Sequence, residues 1–276
     1  MDVVVHPNLA SFDAVAHDRL AADPVRNTIA LTSLDRARRL PDPDRPPTLI
    51  TFHEQRTLAG SLIRTPPWPF QAADLPLEAV ALAVQIAREA DPNAPGVTGP
   101  KERSAAFAKA WGEPFVETLT TRQYYLDKLS PPDVPGAGRA ATEDDVPLLG
   151  SWLKAFTEEA VPAAPSGPSP EETVRSSLNL GNGHAIWESN GLPVAWASAS
   201  RPQAAMSRVG PVYTPPTHRK HGYGAAVTAV ASRWAQNQGA TTVLLFADLT
   251  NPVSNSIYQR IGYRPLTDCA EYTWKR

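Results

Sequence analysis

Two short runs in the second half of the chain combine residue types that can hold an anion and move a proton. Arg219-Lys220-His221-Gly222-Tyr223-Gly224 sets three basic side chains beside two glycines. Glycine lets backbone come close to a ligand, and amides that open a helix, helped by the positive end of its macrodipole, receive phosphate. Past one helix and one strand lies a second run, Asn251-Pro252-Val253-Ser254-Asn255-Ser256-Ile257-Tyr258-Gln259-Arg260-Ile261-Gly262-Tyr263. On a helix its Ile257 and Ile261 share a buried face, while Asn251, Ser254, Asn255 and Tyr258 line a polar face that ends in a phenol. The plain alternatives are structural: a basic turn that caps a helix, and a surface helix whose tyrosine packs at the edge of the core.

Both runs need elements to position them, and the local sequence supplies these in order. Thr142 to Asp145 opens a helix carrying Val146, Leu149, Trp152, Leu153 and Phe156 at helical spacing. A shorter helix follows Ser169-Pro170. Strands are expected at 184–188 and 194–200 around an Asn190-Gly191 turn, a strong hairpin signal. The next strand, 207–214, carries Gly210-Pro211, where an unbroken ladder is impossible and a bulge or splay is expected. A long helix over 222–238 has Tyr223, Val227, Val230 and Trp234 as its apolar stripe and Gly239 as its cap. A buried strand at 242–246 leads to Asn251 as N-cap with Pro252 in the first helical position. Gly262 closes that helix, and a last strand or two hold Tyr272 and Trp274.

The 29 prolines cluster at 41–47, 131–135 and 162–170, and each cluster reads as a loop. The middle one, continuing into Gly136 and Gly138, divides the chain into domains at 1–130 and 138–276 joined by a linker at 131–137. An internal repeat at an offset of about 150 residues matches Thr65-Pro66-Pro67 to Thr214-Pro215-Pro216 and Trp111-Gly112 to Ile261-Gly262. The copies differ where chemistry would sit. WPFQAAD follows the first Thr-Pro-Pro, where the second is followed by THRKHGYG, and Ala108 stands where the second copy has Tyr258. The first copy is therefore expected to have kept the fold and lost the site.

Taken together, VYTPPTHRKHGYG and NPVSNSIYQRIGY resemble the GNAT superfamily of N-acetyltransferases across about residues 138–276. The first half resembles the degenerate copy of tandem GNAT proteins. The resemblance implies a mixed-sheet α/β fold in two tandem GNAT-like domains, with acetyl-CoA as cosubstrate. Carried over, backbone groups of Val212, Tyr213 and Thr214 pair with pantetheine as an added strand. Amides of His221, Gly222, Tyr223, Gly224 and Ala225 hold the pyrophosphate, with Arg219 and Lys220 at its rim. Asn251 and Asn255 contact the pantetheine arm, and Tyr258 protonates the departing thiolate. A primary amine, on a small molecule or a peptide, attacks the thioester directly in a ternary complex. Because an alkylamine has a pKa of about 10.4 it must first lose a proton, and Glu158 and Glu159 at the end of the first C-terminal helix are the expected bases.

Other classes fit less well. With 26 Lys+Arg against 28 Asp+Glu, no whole-chain field draws the protein to nucleic acid or to an anionic membrane. The six histidines and single cysteine show no metal-ligand spacing, and Cys269 reads as packing. The seven tryptophans read mostly as core, with Trp152 and Phe156 as candidate linings of an acceptor cleft. The N-terminus has no secretion-signal pattern and no window is long and apolar enough to span a bilayer, so a cytoplasmic protein is expected. An acyl-CoA-binding sensor would keep the phosphate loop without needing the phenol, and a mere binding module would release no thiol with any amine.

Overall fold

The computed structural model describes residues 1–160 and 167–275, so residues 162–166 of the third proline cluster lie outside it. By contact, the chain forms two units. One is Met1–Thr121 together with Asp268–Arg276, and the other is Arg122–Thr267.

Unit 1 runs β1 (Asp2–Val5), α1 (Leu9–Ala22), α2 (Thr28–Arg39), β2 (Thr48–Glu54), β3 (Thr57–Arg64), β4 (Phe70–Gln71), α3 (Val80–Ala90), β5 (Gly96–Pro100), α4 (Lys101–Trp111) and the start of β6 (Phe115–Leu126). Unit 2 runs β7 (Ala137–Ala140), α5 (Val146–Ala160), α6 (Pro170–Asn179), β8 (Gly183–Ser189), β9 (Leu192–Ala199), β10 (Met206–Tyr213), α7 (Tyr223–Asn237), β11 (Thr242–Asp248), α8 (Pro252–Arg260) and the start of β12 (Tyr263–Trp274). Element for element the two successions are the same, which is the mixed α/β duplication expected from the repeat.

The strand orders are β1-β2-β3-β4-β5-β12-β6 in unit 1 and β12-β6-β11-β10-β9-β8-β7 in unit 2. Beside β5, where a lone copy would place its own last strand, stands the end of β12, with Cys269–Thr273 in antiparallel register against Pro100–Gly96. Trp274 then stacks on Trp111 with centroids 5.0 Å apart. These contacts explain why the division falls at Thr121/Arg122 and Thr267/Asp268 and not at 131–137. Gly138, on β7, belongs to unit 2, where it pairs with Trp187 of β8.

The repeat needs one correction. Trp111-Gly112 and Ile261-Gly262 hold equivalent places, at the ends of α4 and α8, and both glycines have positive φ, 81° and 105°. The Thr-Pro-Pro pair does not, because Thr65 follows the third strand of its unit and Thr214 follows the fourth. The unit 1 counterpart of the glycine loop is therefore residues 72–79, AADLPLEA, which again has neither a glycine nor a basic residue. Its Asp74 is buried and engaged by Arg19 and Ser61.

In unit 2 the capping signals act as the sequence indicates. Thr142 and Asp145 form a capping box before α5, Ser169 and Glu172 another before α6, and Asn251 Oδ1 accepts the Ser254 amide at 3.0 Å. Asn190 and Gly191, at φ 52° and 74°, turn β8 into β9. The face that α7 buries is broader than the expected stripe: Ala225, Ala226, Ala229, Ala231 and Ala235 are buried along with Val227. Small side chains let the helix lie close on β8 and β9, so Tyr223, Val230 and Trp234 are left at its margins. Among the described residues no helix is long and apolar enough to cross a membrane.

Candidate functional site

The site is built around the place where β10 parts from β11. Their parallel register runs from Met206↔Thr242 to Val209↔Leu245 and stops there. Beyond it, Val212 and Tyr213 pair with Ala197 and Trp196 of β9, across a bulge between Val209 and Val212. The Gly210-Pro211 step that makes an even ladder impossible thus sends β10 away from β11. Backbone of Val212 and Tyr213 is paired on the β9 side, and their other edge has no strand partner beyond Val209.

At the far end of that edge the chain enters a 3₁₀ turn, Pro216–His218, and then α7. Gly222 caps α7 at φ 82°, and Lys220 is also left-handed at φ 68°. For Lys220 this conformation costs about 1–2 kcal/mol, so the loop carries strain beside the helix end. Ala226 is the first residue whose amide bonds back, to the Gly222 carbonyl at 3.0 Å. The amides of Tyr223, Gly224 and Ala225 therefore lack an intrahelical partner and point out of the N-terminus. A Cβ on Gly222 would lie 2.9 Å from Val134 Cγ2, and one on Gly224 would lie 3.3 Å from Thr214 Oγ1. The loop thus leaves little room for a side chain at either glycine.

The basic residues of the loop are less free than their sequence suggests. Arg219 Nε donates to the Thr214 carbonyl at 2.9 Å, and Nη2 to Glu159 Oε2 at 2.7 Å. Its guanidinium also lies 5.9 Å from the centre of the Tyr213 ring. Arg219 and Glu159, expected as phosphate and base residues respectively, are each other's partners at the loop end of β10. His221 stacks on Tyr223, whose hydroxyl donates to Ser189. Lys220 and Glu158 are exposed.

On α8 the two asparagines have structural duties. Asn251 is the N-cap, while Asn255 Nδ2 donates to the carbonyls of Asp248 and Asn251 and its Oδ1 accepts from Tyr124 at 2.7 Å. Tyr258 is buried between Tyr124 and Tyr263, with ring centroids at 6.5 and 6.2 Å. Its hydroxyl bonds to no other described residue, and burial pushes its pKa up to about 12. At neutral pH it is a protonated phenol that can only give its proton.

Three features had no sequence reading. Tyr124, on β6, falls in the stretch assigned to the first domain, yet belongs to the core of unit 2. A depression of about 580 Å³ beside α8 is lined by Arg122, Tyr124, Asn255, Ser256, Gln259 and Arg260, among others. Arg208, on β10, is a largely buried cation next to the splay. The alternation of Gln123, Tyr124 and Leu126 is a usable strand signal, but no local signal says which unit a strand will join.

Trp152 is buried under α5 against Tyr213, at 6.3 Å, and Phe156 is partly buried in the same cluster. Cys269 is buried and its thiol pKa is pushed up to about 11, as befits packing. Among the described residues no group of three or more His, Cys, Asp or Glu could hold a metal ion.

Comparison with known proteins agrees with this geometry. Residues 150–263 match the acetyltransferase (GNAT) family. Over its whole length the chain is similar in fold to a GNAT-family acetyltransferase from Colwellia psychrerythraea, with TM-score 0.63, 11% identity and 100% of both chains covered. A GCN5-related N-acetyltransferase from Kribbella flavida superposes with TM-score 0.62 and 20% identity over 90% of this chain and 95% of its own. A tandem GNAT protein from the clavulanic acid biosynthesis pathway does so with TM-score 0.61 and 14% identity over 98% and 97%. No curated protein matches the sequence.

Proposed function

We propose that the protein moves an acetyl group from acetyl-CoA to a primary amine, at unit 2 alone, starting from the match of residues 150–263 to the acetyltransferase (GNAT) family, which implies an acyl-CoA donor. The observation that carries this reading is the line formed by the unpaired edge of Val212 and Tyr213 and the open amides of Tyr223 to Ala225. An extended pantetheine fits the first as an added strand and a pyrophosphate fits the second. The acyl-CoA thioester supplies an activated carbonyl, and the chain's residues hold it and manage protons.

Amides of His221 to Ala225 bind the diphosphate, with Lys220 at its rim. Arg219 braces the loop against the Thr214 carbonyl and Glu159, so it acts by holding the loop's shape as well as by charge. Asn251 and Asn255 fix the start of α8 and offer the pantetheine arm polar atoms. Tyr258, kept protonated by burial, gives its proton to the leaving thiolate. Glu158 and Glu159 remain the proposed bases, Glu159 on condition that its ion pair with Arg219 opens. An unchanged pH profile in a Glu158→Gln, Glu159→Gln double variant would remove them from that role. Residues 72–79, which lack the glycines and the basic side chains, support a silent first unit. The decisive assay is thiol release from acetyl-CoA across a panel of amines. Binding of acetyl-CoA without release for any amine would instead make the protein a sensor.

A further inference from the structure

A cation with no counter-charge among the described residues sits where the acceptor should arrive. Side chains alternate along a strand, and Val209 packs in the core under α7 with Val243 and Leu245. Arg208 therefore projects to the opposite face of β10, the face on which Tyr213, Trp196 and Ile186 pack under α5. Its backbone amide bonds to Ser200 Oγ at 3.0 Å. Its guanidinium makes no hydrogen bond or ion pair with any described residue, and Nη1 is sealed from solvent without a partner. The nearby Gly210 carbonyl, which could have accepted from it, takes the Ser198 hydroxyl at 2.7 Å. The residue as a whole keeps partial exposure, while the guanidinium itself is the buried part, so an acceptor must meet it from the splay side of β10. Burial pushes its pKa down to about 10, so it remains charged at neutral pH. A buried charge without a partner is among the costliest features a fold can carry, and five donors in a planar fork match a carboxylate.

The position of Arg208 along β10 says which carboxylate. If the diphosphate sits on the α7 amides and pantetheine runs back along Thr214 to Val212, the thioester arrives at the splay, near Gly210. Arg208 is two residues further, about 7 Å along the strand. The arginine side chain and the gap left for the attacking amine share that distance, which leaves room for a carboxylate on the same small molecule as the amine. We propose that Arg208 binds the carboxylate of the acceptor, so that the acceptor class is amines that also carry a carboxylate, as amino acids do. This rests on the transfer reading above and narrows it.

The test compares acceptors that differ only at the carboxyl group, an amino acid and its carboxamide, in the full-length wild type and in Arg208→Met and Arg208→Lys. The ratio of kcat/KM for acid over amide should fall roughly 10- to 150-fold from wild type to Arg208→Met, the span of a charge-assisted hydrogen bond, with Arg208→Lys between. Comparing ratios cancels the difference in amine pKa between acid and amide. Arg208→Met should melt no lower than wild type, because it removes an unpaired buried charge. An equal ratio in wild type and Arg208→Met, or a sharp loss of stability in Arg208→Met, overturns the proposal and makes Arg208 structural.

Binding of products gives an independent readout. An N-acetylamino acid should raise the melting temperature of wild type and its carboxamide should not. If no amine releases thiol, the transfer reading fails, while this ligand pair still decides the role of Arg208: selective stabilisation by the acid supports it and none refutes it.

Discussion

Gly222 is the residue at which backbone conformation, packing and the proposed ligand binding meet, so its replacement separates the three. At φ 82° any side chain is strained, by about 1–2 kcal/mol for an L-residue in the left-handed region. Its Cβ would also lie 2.9 Å from Val134 Cγ2, closer than carbon atoms pack, so Val134 must give way. Gly222→Ala should therefore lower stability in urea by about 1–2 kcal/mol or somewhat more, and Val134→Ala should recover only the part due to the contact. Gly222→Val adds bulk at the same contact, so the loop that presents the amides of Tyr223 to Ala225 must move. In calorimetry coenzyme A should lose at least ~10-fold in affinity to it, the effect of roughly 1.4 kcal/mol at the anion. A truncated pantetheine thioester, which reaches Thr214 but not the loop, should change by less than about 3-fold. The reasoning is refuted if both ligands weaken equally, since the loop would then be a structural turn. Full recovery of stability by Val134→Ala would deny the backbone strain.

Three further outcomes follow from the same geometry. Tyr258→Phe should leave acetyl-CoA affinity nearly unchanged and slow turnover by about 10²- to 10⁴-fold where chemistry limits, and an unaffected single-turnover rate would reduce Tyr258 to packing. Calorimetry on the full chain should find one acetyl-CoA site, and two equivalent sites would contradict a silent unit 1. His184 accepts the indole N–H of Trp196 at 3.2 Å, which fixes its tautomer and leaves Nε2–H to donate to Ser177 at 2.9 Å, and burial holds its pKa down to about 4. Because the folded value lies below the unfolded 6.5, its contribution is complete above pH 6.5 and is lost as pH falls toward 4. That loss is roughly 3 kcal/mol, and His184→Phe should flatten the slope of urea stability against pH between those limits.

What the sequence made legible was local. Ser169-Pro170 and Asn251-Pro252 announce helix starts, Asn190-Gly191 a hairpin, and Gly210-Pro211 a break, because each acts through its own φ or a hydrogen bond within a few residues. The glycine loop and Tyr258 were visible for the same reason. The surroundings of Arg219 and Arg208 were not, since Glu159 lies 60 residues away from Arg219 and nothing in a strand's spacing reveals that an arginine will have no counter-ion among the described residues. The alanine face of α7 was hidden because hydrophobic spacing weighs large side chains, whereas close packing on a sheet selects small ones. The Thr-Pro-Pro match misled because a short motif repeats more easily than its place in a topology.

The exchange of final strands also bears on why a silent unit should persist. Unit 2 includes the end of β6, which comes from the first half of the sequence, and unit 1 is completed by the end of β12, which comes from the second. A chain cut anywhere in 131–137 gives two fragments, each missing a strand that the other holds. Deleting the copy without a phosphate loop would thus remove Tyr124 from beside Tyr258 and Asn255 in the copy that has one. If unit 2 alone is active, as proposed, selection on it then acts on both units, and the duplicate is kept as a structural obligate.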